Sequence, residues 1–83
     1  MAFDTRGWLD RYAAELGLTP ITDEDIEMLL ALAGVAAHAS ERKAAPVTCY
    51  LAARSGAPIA EAFATAQRLA DELAEPGDQH GTD

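Results

Sequence analysis

The chain has 83 residues and a formal net charge of −8 at pH 7, which makes it a small acidic unit and removes whole classes of function. A protein that tracks phosphates needs clustered Lys and Arg, so neither nucleic acid nor an anionic membrane surface is an expected partner. Apolar residues make up 49% of the chain, but nineteen are alanine, which buries little area per residue. Such a chain is marginal as a monomer, and either a homodimer or docking on a larger protein is expected to complete it.

No run of alternating β-branched residues is present, whereas helix punctuation recurs throughout. Asp4 or Thr5 caps a first helix on which Trp8, Leu9, Tyr12, Ala13 and Leu16 share one face, and Gly17 ends it. Thr22-Asp23-Glu24-Asp25 starts a second helix with three acids at the positive end of its dipole. That helix is apolar on most sides. Ile26, Leu29, Leu30, Ala33 and Ala37 form one stripe, and Met28, Leu32 and Val35 form another. Residues 40–45 read as a loop, with Pro46 at the first position of a third helix that stops at Ser55-Gly56. Pro58 opens a fourth, on which Ile59, Ala62, Phe63, Ala66, Leu69, Ala70 and Leu73 make one apolar arc. The expected architecture is all-α, a small four-helix bundle-like domain over residues 1–76, with residues 77–83 a disordered tail.

The expected core is Trp8, Tyr12, Leu16, Ile26, Leu29, Leu30, Ala33, Leu51, Phe63, Ala66 and Leu73. The second stripe of helix two exceeds what four small helices need to cover. Met28, Leu32 and Val35 are therefore the expected interface residues.

Chemistry is sparse. Cys49 stands alone, so no intrachain disulfide forms, and it reads as a packing residue rather than a nucleophile. His38, Cys49 and the acids have no metal-ligand spacing, and no catalytic residue, metal or cofactor is expected. The N-terminus has no signal-peptide pattern, and the apolar run from Met28 to Ala37 is half a membrane span, so a cytoplasmic protein is expected. An acyl carrier protein would carry Asp-Ser-Leu at a helix start; the serines here lie in Ala39-Ser40-Glu41 and Arg54-Ser55-Gly56. No helix is basic enough to read DNA. The best candidate site is the junction of helices two and three. There His38 ends one helix, Arg42 and Lys43 precede the next, and the amides of Val47 and Thr48 would point at an anion.

The stretch Leu30-Ala31-Leu32-Ala33-Gly34-Val35-Ala36-Ala37-His38, then Glu41-Arg42-Lys43-Ala44-Ala45-Pro46-Val47-Thr48, with Trp8-Leu9 upstream, resembles a family of small uncharacterised helical domains. These occur in high-GC bacteria, alone or fused C-terminally to molybdenum cofactor guanylyltransferase, and the likeness spans residues 8–73. The resemblance implies a non-enzymatic accessory module that docks on a protein of molybdenum cofactor maturation, such as the guanylyltransferase or a molybdenum cofactor enzyme. It implies no guanylyltransferase activity, since no glycine-rich nucleotide loop is present. The alternative is a small-ligand domain that holds a phosphate-bearing pterin or nucleotide at the helix two–three junction.

Overall fold

A computed structural model of the chain describes residues 4–74. Among these, α1 runs Thr5–Glu15, α2 Asp23–Ala39, α3 Ala44–Ser55 and α4 Ile59–Leu73, with no strand. The expected tail, residues 77–83, lies outside the described residues.

Local chemistry explains most of these boundaries. The Asp4 carboxylate accepts from the Gly7 N–H at 2.7 Å, and the Thr22 hydroxyl accepts from the Asp25 N–H at 3.0 Å, so each cap satisfies one orphan donor. α1 ends in a Schellman turn. The Gly17 N–H donates to the Ala14 carbonyl, the Leu18 N–H donates to the Ala13 carbonyl, and Gly17 takes φ 77°. Gly56 closes α3 in the same left-handed region. Just before it, the Ser55 hydroxyl donates to the Ala52 carbonyl at 2.6 Å and accepts from the Ala57 N–H at 3.1 Å.

One expected boundary moves. α3 begins at Ala44, two residues before Pro46. Proline is tolerated anywhere among the first helical positions, because the N–H it lacks has no intrahelical acceptor there. The two alanines before it favour helix and join the first turn.

α2 is the centre of the fold. α3 and α4 both pack along it and barely approach each other, while α1 makes no close backbone approach to any of the three. The chain runs down α2, back up α3 and down α4, so α2 and α4 end side by side. The fully buried side chain is Leu32, at 1% exposure, joined in the core by Ala36. Ile26, Leu29, Ala33, Phe63 and Ala66 are half-buried, as helix-facing residues should be.

The remaining core expectations fail. Trp8, Tyr12, Leu16, Leu30, Leu51 and Leu73 are exposed. The cause is geometric. An apolar face is buried only if another element comes to meet it; α1 stands off the body, and α3 and α4 splay rather than close. Leu32 departs in the other direction. The sequence places it on a free stripe, yet among the described residues it is the least exposed, and its companions Met28 and Val35 are half-buried. Because α3 and α4 converge on the Leu32 side of α2, the proposed interface of Met28, Leu32 and Val35 faces inward. Leu30 stays in solvent on the other side.

Two pairs of substitutions test this packing by chemical denaturation. Leu32→Ala should cost about 2–5 kcal/mol, whereas Leu30→Ala should stay within about 0.5 kcal/mol of wild type. Gly56→Ala should lose about 1 kcal/mol because a Cβ strains the left-handed backbone, although open space surrounds it. Gly34→Ala, inside α2 with nothing near the added methyl, should gain about 0.5–1 kcal/mol.

Candidate functional site

The residues expected to converge at the α2–α3 junction are dispersed by the fold. His38 is exposed in the last turn of α2 and faces the end of α4. It lines a shallow cavity of ≈ 450 Å³ with Val35, Gln67, Ala70 and Leu73. Thr48 is half-buried and lines the cleft between α3 and α4, one end of which reaches Ala39, Ser40 and Ala44 at the junction. Val47 is exposed on the outer side of α3.

The amides expected to bind an anion are already used. A helix that starts at Ala44 directs the Val47 and Thr48 N–H groups to the carbonyls of Lys43 and Ala44. The two amides ahead of them donate to the preceding turn, Ala44 to the Glu41 carbonyl at 2.9 Å and Ala45 to the Arg42 carbonyl at 3.1 Å. Pro46 has no N–H. The amides of Ala44, Ala45, Val47 and Thr48 are therefore already bonded, and the expected set of His38, Arg42, Lys43, Val47 and Thr48 does not converge on one anion. What remains is the cation pair. Arg42 and Lys43 are exposed and make no ion pair or side-chain hydrogen bond among the described residues.

The other cations all have partners. Arg11 pairs with Glu15, and Arg68 with Glu72, each one helical turn away. Arg54 lies over the Tyr50 ring, 5.9 Å from its centroid. Arg6 was not singled out from the sequence and does the most structurally. Its guanidinium donates to Asp23 at 2.6 Å, to the Ile21 carbonyl at 2.7 Å and to Asp10 at 2.9 Å. These carboxylates, Asp23 foremost, raise its already high pKa. The fork fastens α1 to the capped start of α2. An Arg at the second position of an amphipathic helix carries no local sign of this, because two of its partners lie 15 and 17 residues away.

Cys49 is a structural thiol. It sits on the α2-facing side of α3, and its Sγ donates weakly to the Leu29 carbonyl at 3.8 Å. Burial pushes the thiol above its ordinary value. Among the described residues no group of three or more His, Cys, Asp and Glu side chains gathers as a metal-ligand set. None of the described helices is long and apolar enough to cross a membrane.

The concave surface with the most apolar lining is a groove between α3 and α4, floored by α2. One end, of ≈ 440 Å³, is formed by Leu32, Thr48, Leu51, Ala62, Ala66 and Leu69. The other, of ≈ 230 Å³, continues past the same Thr48, Ala66 and Leu69 to Ala44 and Leu73. Small side chains make the floor, and exposed leucines make the rims.

A central α2 flanked by α3 and α4, an α1 that stands off them, and an open apolar groove define a small all-α helical domain. The chain belongs to the family of domains of unknown function DUF6457, whose model matches residues 3–79. No curated protein and no solved structure matches the chain significantly.

The reactivity of Cys49 checks its assignment. Because folding raises the thiol pKa, the thiolate fraction at neutral pH is lower in the native protein, so iodoacetamide should react more slowly than with the urea-unfolded chain. The stability this group contributes is complete below the ordinary thiol pKa and is lost as pH rises through the folded value. Faster alkylation of the native form would mean an activated cysteine and a different role.

Proposed function

We propose that this domain is a non-enzymatic docking module whose apolar surface is completed by another protein. The observation that carries this reading is an inversion of the usual distribution of large apolar residues. Among the described residues ten of them stand 47–68% exposed, against a single large side chain that is fully buried. Such surface on a soluble domain marks a contact site. The motif resemblance at helix two and the Arg42-Lys43-Ala44-Ala45-Pro46 junction favours a partner in molybdenum cofactor maturation, with the guanylyltransferase first among candidates. The outer face of α3, where Val47 and Tyr50 are exposed and Arg54 stacks on Tyr50, suits such a partner. An aromatic residue and an Arg side by side are the residue types that dominate contact energies.

A second reading rests on Arg42 and Lys43, which lack partners among the described residues. They would attract a phosphate-bearing pterin or nucleotide, but only as two screened surface charges without backbone donors.

Isothermal titration separates the two. Mixing the domain with the guanylyltransferase of the same organism should give saturable binding, and Tyr50→Ser should weaken it by about tenfold or more. Guanine nucleotides and inorganic phosphate should give no saturable heat. Nucleotide binding that disappears in the Arg42→Ala/Lys43→Ala variant would replace the docking reading with the ligand one.

A further inference from the structure

We infer that the domain forms a homodimer by exchanging α1 between two copies, the Trp8–Tyr12–Leu16 stripe of each lying in the α3–α4 groove of the other. The stripe and the groove lips belong to the same exposed apolar set that carries the docking reading, so the inference rests on that surplus of apolar surface. The outer face of α3, with Val47, Tyr50 and Arg54, stays outside this contact and is tested separately by Tyr50→Ser.

The chain contains both halves of the contact. α1 presents Trp8, Tyr12 and Leu16 at 55%, 50% and 54% exposure, one turn apart on one face, with Leu18 at 61% just beyond. Trp8 and Tyr12 stack with ring centroids 5.8 Å apart and planes 9° apart, so each ring orders the other before any contact forms. The groove has the complementary shape. Ala62, Ala66 and Thr48 leave width between its walls, and Leu51 and Leu69 form lips at 54% and 47% exposure. The lengths also agree: α1 has 11 residues and α4 has 15, so one extends about 16 Å and the other about 22 Å.

The short path, α1 folding back into its own groove, is opposed by the Arg6 fork. That fork holds α1 against Ile21 and Asp23 at the head of α2, while the Schellman turn at Gly17 fixes how the chain leaves α1. A second copy meets no such restraint.

The area suffices. An aromatic side chain buries about 150–250 Å² when fully covered. The half-exposed stripe with Leu16 and Leu18 therefore offers roughly 400 Å². Two stripes against two grooves come to on the order of 1,600 Å², the size of a standard stable interface. The contact is isologous, as a two-fold dimer requires. Charge sets the salt dependence. Two copies at −8 repel, so added salt should tighten this dimer, whereas it would loosen a complex with a basic protein.

Trp8 is the single tryptophan of the chain, so its emission reports the position of α1 directly. Sedimentation of the full chain should show a monomer–dimer equilibrium, with Trp8 emission moving to the blue over the same concentration range. Leu69→Glu and Trp8→Ser should each weaken self-association by about 30-fold or more while circular dichroism stays helical, since both positions are exposed in the monomer. The decisive experiment mixes the two variants. Leu69→Glu keeps an intact stripe and Trp8→Ser keeps an intact groove, so their heterodimer retains one good junction that neither homodimer has. Adding the tryptophan-free Trp8→Ser chain should shift the emission of the Leu69→Glu chain to the blue. Three results would overturn the inference: a monomer whose Trp8 stays in water at every concentration, a blue emission independent of concentration, or a dimer that survives both variants.

Discussion

Everything in this fold depends on α2 being apolar around most of its circumference. A helix of that kind cannot sit at an edge, because no single neighbour can cover more than one side of it. α3 takes one side and α4 the next, and Leu32 lies where the two approaches meet. α3 and α4 have no comparable need of each other. Their facing residues are largely alanine and threonine, so closing the gap between them would bury little area. The groove is the consequence: α3 and α4 each pack on the central helix and stay splayed from one another.

Polar interactions then decide what the apolar ones leave open. The caps at Asp4 and Thr22 and the left-handed glycines at 17 and 56 set where helices begin and end. They say nothing about where a helix goes. That is decided for α1 by Arg6, whose hydrogen bonds reach across the connection to Ile21 and Asp23. With α1 held at one end of α2 its aromatic face lies away from α3 and α4, and Trp8 and Tyr12 are exposed. The same logic dissolved the expected anion site. Starting α3 two residues early consumed the amides that were to hold the ion, and helical rotation carried Thr48 toward α4 and left Val47 in solvent.

The helices themselves were legible because their signals are local. Thr22 followed by three acids, Gly17, Gly56 and Pro58 act within a few residues, over distances the chain's own geometry fixes. The arc on α4 was legible too, since its 3.6-residue period is a property of one helix. Burial was not. Leu30 and Leu32 are the same residue type two positions apart on α2, yet one is 68% exposed and the other 1%. Nothing in their neighbours in sequence distinguishes them, because what separates them is which side α3 and α4 chose.

From the sequence alone follow the all-α class, the number and limits of the helices to within two residues, and the acidic character of the chain. These rest on hydrogen bonds and charges whose partners are near in sequence or summed over the whole chain. Only the tertiary structure decided that Leu32 is core and Trp8 is surface, that Arg6 is a clamp, that Cys49 is turned toward Leu29, and that an open groove runs between α3 and α4. Each of these depends on the relative placement of helices. In an alanine-rich chain many placements bury nearly equal area, so composition and periodicity cannot select among them; the contacts of a few large side chains and one arginine do.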